Sequence, residues 1–184
     1  TELAKSGTME QMLNKKISQL TGTEKTKIAY KLADVMTYLN SHQIIHRGLT
    51  TSNIVLEGNR PKLIDFGNAS SVIKGVDRDL FDNSTLNDAE YDANGDVLAF
   101  SKILYEMLTG EVPNGPEYGF DIDENNKSDL QKLIEFCSKP ENQNLKTFEI
   151  IKNKMMHHHI SFPGSNMDET NIFYDKKRMK LTNL

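Results

Sequence analysis

The stretch His46–Gly67, HRGLTTSNIVLEGNRPKLIDFG, decides the fold. Ile54–Leu56 and Lys62–Ile64 are short apolar runs on either side of a turn rich in Gly, Asn and Pro. That pattern predicts strand, turn, strand. The hairpin separates two polar groups: His46, Arg47 and Asn53 before it, and Asp65, Phe66 and Gly67 after it.

Helices surround it. Thr8 with Gln11, and Thr21 with Glu24, have the spacing of capping boxes. The first predicts a short helix to about Lys16. The second opens a longer one to about Ser41, because Ile28, Ala29, Leu32, Val35, Met36 and Leu39 recur at helical spacing. Ile44-Ile45 is a short apolar pair. Residues 68–91 are polar and irregular and read as a long loop. DVLAFSKILYEMLTG, from Asp96, is apolar nearly all round and predicts a buried helix stopped by Gly110. Residues 111–127 are loop-like and acidic, with Asp121, Asp123 and Glu124. Ser128 and Gln131 cap a helix carrying Leu130, Leu133, Ile134 and Cys137, and Thr147 to Met155 predicts another. Pro163-Gly164 breaks the chain, and Ser165 with Asp168 starts a last helix toward Met179. The content is mainly α with one small β-hairpin, too little sheet for a Rossmann or barrel fold.

The bulk numbers fit one globular domain. The chain has 184 residues, 37% apolar and 26% charged. The net charge of −4 gives no global field toward nucleic acid. A single cysteine, Cys137, excludes an internal disulfide and reads as helix core. No apolar run approaches the roughly 18 residues of a membrane helix, so a cytoplasmic protein is the expectation.

HRGLTTSNIV followed by DFG resembles the catalytic core of protein kinases, H-R-D-L-x-x-x-N and then D-F-G. Other stretches agree in order. TELAKSG resembles the hinge, and SGTMEQML the short helix after it as written in tyrosine-kinase-like kinases. DVLAFSKILYEMLTG resembles the central helix of the C-terminal lobe, and LIEFCSKPENQNLKTFEII its last helices. The resemblance implies a protein-kinase-like C-terminal lobe without the N-terminal β lobe over 1–155, beginning near the hinge. Residues 156–184 then form a C-terminal extension of one helix. It implies that Asp65 and Asn53 supply oxygens to Mg²⁺, and that Glu2 and Ala4 lie where the hinge meets a nucleotide. Gly67 supplies backbone freedom beside Asp65. His46 packs its ring near Phe66, and Asp96 caps the backbone amides of the catalytic loop.

The departures from the family pattern are specific. The catalytic aspartate falls on Gly48, which has no side chain to accept a proton. The serine/threonine-kinase lysine falls on Thr50. Neither G-x-G-x-x-G nor V-A-I-K occurs. DNSTLND around Ser84 lacks the A-P-E motif, and the arginine that pairs with its glutamate falls on Leu145. Losing both partners of a buried pair is tolerated where losing one is not. Residues 111–127 are short for the family, so its docking helix is expected to be absent or reduced to a turn.

These features predict a pseudokinase-like binding or structural module, with phosphotransfer absent. The alternative is the C-lobe of an ATP-binding serine/threonine kinase whose N-lobe lies upstream or on a partner. No cofactor is expected for the isolated chain, with weak Mg-ATP binding as the competing reading. Asn53 and Asp65 stand either as vestigial Mg²⁺ ligands or as an inherited turn. Arg47 stands between pairing a phosphorylated Ser84 or Thr85 and plain packing. His157–His159 point in different directions on a helix and predict a solvated helix end, not a metal site. Lys176, Lys177, Arg178 and Lys180 read as a solvated basic tail. A protein partner is expected where the N-lobe would sit, on a face with Ile44, Leu56 and Phe66 nearby. No nucleic acid and no membrane span are expected.

Overall fold

The computed structural model describes residues 7–14, 20–71, 93–114, 120, 123–139 and 147–182. Among these, capping residues set the helix starts. Thr8 and Gln11 exchange side-chain and backbone hydrogen bonds to open α1, Met9–Leu13. The helix stops at Leu13, short of Lys16, and residues 15–19 lie outside the described set. Thr21 and Glu24 open α2, Gly22–Ser41, in the same reciprocal way. Its buried stripe runs Ile28, Ala29, Leu32, Ala33, Met36 and Leu39, with Val35 at its margin. The stripe repeats every three to four residues, so one face of α2 can be covered along its whole length.

Two ladders follow. β1, Ile44–Ile45, pairs antiparallel with β4, Ser70–Ser71. β2, Ile54–Glu57, pairs antiparallel with β3, Arg60–Leu63, in the register Ile54 to Leu63 and Glu57 to Arg60. The β1–β4 ladder was not expected: two residues on each side carry no readable alternation, and tertiary contacts alone bring them together. Thr8 bridges Val55, so α1 lies against β2. Leu56 is therefore core, only 1% exposed, and is not part of an open apolar face.

α3, Ala93–Thr109, begins three residues before Asp96 and ends where Gly110 takes φ +79°. None of residues 94–108 is exposed, as an apolar circumference requires. Val97, Phe100, Ile103, Leu104 and Met107 form the centre of the core, and the Phe100 ring meets Phe148 edge to face at 5.5 Å. Lys25 of α2 donates to the Met107 carbonyl at 2.8 Å, satisfying a group the helix end leaves unpaired. Glu124–Asn126 form a single 3-10 turn before α4, Asp129–Ser138. Cys137 is buried in α4, as expected. α5, Phe148–His157, packs along α2.

The expected division at 155/156 falls inside α5, which runs on to His157; beyond it the described residues hold one helix, α6, Met167–Thr182. Asn166 caps it, accepting the Glu169 N–H at 3.1 Å, where Ser165 was expected to do so. The Ser165 hydroxyl is engaged elsewhere, donating to the Phe162 carbonyl at 2.7 Å and lying 3.1 Å from the Thr26 hydroxyl. α6 lies on α2. Tyr174 is fully buried, its ring edge-on to Tyr30 and its hydroxyl donating to the Ile160 carbonyl at 2.6 Å. Thr26 and Thr23 accept the Phe162 and Asn166 N–H groups at 2.9 and 2.8 Å. Gly22 permits this approach, since a Cβ there would stand 2.2 Å from the Pro163 carbonyl oxygen.

Two expectations about this region are corrected. His157 and His158 are exposed, but His159 is half-buried, 2.8 Å from the Asn171 side-chain oxygen and 3.4 Å from Arg178. Of the basic cluster, Lys176 and Lys180 are exposed. Lys177 lies over the rings of Tyr30 and Phe173, and Arg178 reaches the Met156 carbonyl. The long stems of these residues cover apolar surface, which a charge count cannot reveal. No described helix is long and apolar enough to cross a membrane.

Candidate functional site

The loop between β1 and β2 is fixed from below by α3. The buried Asp96 carboxylate accepts the His46 N–H at 2.7 Å and the Arg47 N–H at 3.0 Å. Arg47 sits at φ +59°, a left-handed conformation that costs a non-glycine residue about 1–2 kcal/mol. Two charge-assisted bonds onto adjacent amides hold it there. Leu49, 2% exposed, plugs the loop into the core. Thr51, in the 3-10 turn Thr51–Asn53, donates its hydroxyl toward the Glu106 carboxylate, whose oxygens lie at 3.1 and 3.3 Å. Burial pushes the Glu106 carboxyl above its ordinary range; the Thr51 bond opposes this and nearby Glu10 adds to it. Sequence reasoning missed Glu106. Its signal is a carboxylate set among apolar neighbours, between Ile103-Leu104 and Met107-Leu108, in the last turns of a buried helix.

Asn53 ties the loop to the hairpin. Its side-chain nitrogen donates to the Gly48 carbonyl at 2.8 Å, which leaves the amide oxygen on the other side. Its own carbonyl accepts the Ile64 N–H at 3.0 Å, which brings the end of β3 next to it. Asp65 follows at φ +61° and accepts the Gly67 N–H at 3.3 Å. Gly67 does not use a left-handed conformation. A Cβ there would stand 3.2 Å from the Asp65 side-chain oxygen, a close approach that a small rotation of that exposed carboxylate relieves.

The His46 ring is buried and 4.7 Å from the Phe66 ring, the contact expected of the pair. Its Nδ1 accepts the Gly48 N–H at 3.3 Å, which assigns the proton to Nε2. That Nε2 has no hydrogen-bond partner among the described residues. Phe66 is 47% exposed and Ile64 41%, while Ile44 is half-buried. The apolar part of this edge is therefore Ile64 and Phe66.

The nearest atoms to a Cβ built at Gly48 are the Asn53 side-chain nitrogen at 3.6 Å and the His46 ring from 3.7 Å, ordinary contact distances. The position has room for a side chain and holds none. Thr50 is exposed, its hydroxyl 2.8 Å from that of Ser52. Glu2, Ala4, Ser84, Thr85 and Leu145 lie outside the described residues. No group of three or more His, Cys, Asp or Glu side chains is placed to hold a metal ion among the described residues. Asn53 and Asp65 offer two hard oxygen donors on one edge. That fits Mg²⁺, which keeps several waters and takes one or two protein ligands beside substrate phosphates.

A catalytic-type loop fixed to a buried helix, a hairpin returning Asp65 to Asn53, and a helical core beneath them define a kinase-type lobe. The protein kinase domain family model matches residues 1–176, and the chain belongs to the protein kinase family. Its relatives include a probable serine/threonine-protein kinase of Dictyostelium discoideum, 31% identical over 149 residues, 76% of this chain and 16% of that protein. A RasGEF domain-containing serine/threonine-protein kinase X of the same organism is 33% identical over 155 residues, 74% of this chain and 16% of the relative. The serine/threonine-protein kinase PKH2 of Saccharomyces cerevisiae is 33% identical over 121 residues, 55% of this chain and 11% of its own length. The chain thus spans a small part of the curated relatives it matches.

Proposed function

We propose that this chain is a pseudokinase-like C-lobe that acts as a binding or structural module and transfers no phosphate. The observation that carries this reading is Gly48. Phosphoryl transfer requires a group that orients the attacking hydroxyl and takes its proton. Here the nearest side-chain atoms to that position are an amide nitrogen already given to a carbonyl and the ring of a buried histidine. Neither replaces a carboxylate. Asn53 and Asp65 retain the oxygens that hold Mg²⁺ against nucleotide phosphates, which supports weak Mg-ATP binding without turnover. Bound Mg²⁺ would supply charge neutralisation. The chain's own part is positioning: Asp96 fixes the loop, and Asn53 joins it to Asp65. The edge carrying Ile64 and Phe66 is the surface for a protein partner, in the position an N-terminal lobe takes in the family.

The test is phosphate incorporation by the purified chain with Mg-ATP and a generic serine/threonine substrate. Background activity equal to that of Asp65→Ala is expected. Robust incorporation that Asp65→Ala abolishes would end the proposal. A second reading, the C-lobe of a serine/threonine kinase completed by another segment or partner, draws on the retained Asn53–Asp65 pair. Activity that appears only when a kinase N-lobe is supplied in trans would favour it.

A further inference from the structure

A second surface uses none of these residues. Lys27, Lys31 and Asp34 lie at helical spacing along one stripe of α2, and other elements bring more cations onto it. The Lys31 ammonium donates to the Asn59 carbonyl at 2.7 Å, in the β2–β3 turn, directly before exposed Arg60. Lys177 of α6 lies over the Tyr30 ring at 5.3 Å and 3.8 Å from Asp34. Lys152 of α5 is 2.9 Å from the same Asp34, and Lys27 pairs with Glu169 of α6. Five cations from four elements face Asp34 and Glu169, with Glu57 across the β2–β3 ladder from Arg60, an excess of two positive charges on a chain whose net charge is −4.

Such an arrangement is unfavourable when empty. Asp34 is shared by two lysines, and neither Lys31 nor Arg60 has a carboxylate partner among the described residues. The Lys31 ammonium is pushed below its ordinary range by burial first, then by Lys177, Arg60 and Lys27. Like charges held together on a structured surface gain most from an external anion.

We propose that the Lys27, Lys31, Arg60, Lys152 and Lys177 face of α2 docks an acidic polypeptide segment. Lysine ammoniums are mobile point charges suited to carboxylates spaced along a chain. Asp34 sits among them and opposes a continuous phosphate backbone, which disfavours nucleic acid. Lys177 covers the rings of Tyr30 and Phe173, and the exposed aromatic that continues the stripe is the single Tyr38, which is too little apolar surface to anchor in lipid. The elements that build the patch are rigid and far apart in sequence, so it exists only in the folded chain.

The test is fluorescence anisotropy of a labelled octaglutamate peptide with the full chain. Binding that weakens steeply at high salt is expected, since screening shortens to about 3 Å near 1 M. A Lys31→Gln, Arg60→Gln, Lys177→Gln triple variant should bind on the order of tenfold more weakly, given that each exposed pair contributes at most about fivefold. Arg60→Gln alone, on an exposed side chain, should show a several-fold loss with unchanged unfolding, which guards against a folding defect in the triple variant. Lys132→Gln, on exposed α4 surface, should bind as the unaltered chain does. The proposal is overturned if the peptide fails to bind below about 1 mM, or if Lys132→Gln weakens it as much as Arg60→Gln. It is also overturned if phosphatidylserine vesicles or duplex DNA, but not the peptide, bind through these residues.

Discussion

Replacing Gly22 with alanine should unfold this protein more easily, against the usual sign of that change. At the start of a helix, Gly to Ala normally stabilises by about 0.4–1 kcal/mol through the unfolded chain. Here a Cβ would stand 2.2 Å from the Pro163 oxygen, 2.6 Å from the Ser165 nitrogen and 2.7 Å from the Gly164 carbonyl carbon. All three are backbone atoms, so no side chain can rotate away. To reach ordinary contact the 163–165 turn must retreat by about an ångström, an overpacking that costs about 1–3 kcal/mol. The retreat also stretches the Thr26–Phe162 and Thr23–Asn166 bonds, now 2.9 and 2.8 Å, each contributing about 0.5–1.5 kcal/mol. The net expectation is a loss of about 1–4 kcal/mol, which lowers Tm by roughly 2–4 °C per kcal/mol for a chain of this size. Urea and thermal unfolding of purified Gly22→Ala would measure it. A variant as stable as the parent, or more so, would refute the close approach of α2 to the 163–165 turn. Gly58→Ala is the control. Its site is open but has φ +57°, so it should lose only the 1–2 kcal/mol or so of left-handed strain.

Asp96→Ala should destabilise by about 3–6 kcal/mol, because two bonds to a buried carboxylate disappear and leave the His46 and Arg47 amides unpaired. Asp96→Asn should lose roughly half as much. Hydrogen exchange should quicken first at those two amides, and unchanged exchange there would count against Asp96 as the loop's anchor. Glu106 has a raised folded-state pKa, so its contribution favours folding below the unfolded carboxyl value near about 4.3 and is lost as pH rises through the folded value. Glu106→Gln removes that dependence. Its stability relative to the parent should therefore rise as pH increases from about 4.3 and level off above the folded value, as followed by denaturant midpoints. A difference that stays flat or falls over that range would contradict the buried, reluctant carboxylate.

The helices were legible because local rules and tertiary needs agree in them. Three Ser or Thr caps with Gln or Glu three residues on formed reciprocal boxes at Thr8, Thr21 and Ser128. The β2–β3 hairpin, the His46–Phe66 contact and the Asp96 anchor were legible from motif order. What escaped reading depends on distant partners. Nothing near Ser70 announces that it pairs with Ile45. His159 and Lys177 look solvated in a run of like residues, and only the packing of α6 gives them neighbours. Leu56 reads the same whether it faces solvent or core. Glu106 shows the converse case, a charge that periodicity assigns to the interior and that chemistry must then accommodate.

The hydrogen bonds from Thr23 and Thr26 to residues 166 and 162 span 143 and 136 positions of sequence. A chain made at about 5–20 residues per second therefore finishes α2 roughly 6–25 seconds before its covering turn exists. During that interval the first turns of α2 display threonine hydroxyls and the Tyr30 ring with nothing to receive them. Translation that stops short of Phe162 leaves the same surface bare for good. Truncated products of this protein are thus marked by one identifiable stripe, available to quality-control factors that bind exposed aromatic surface.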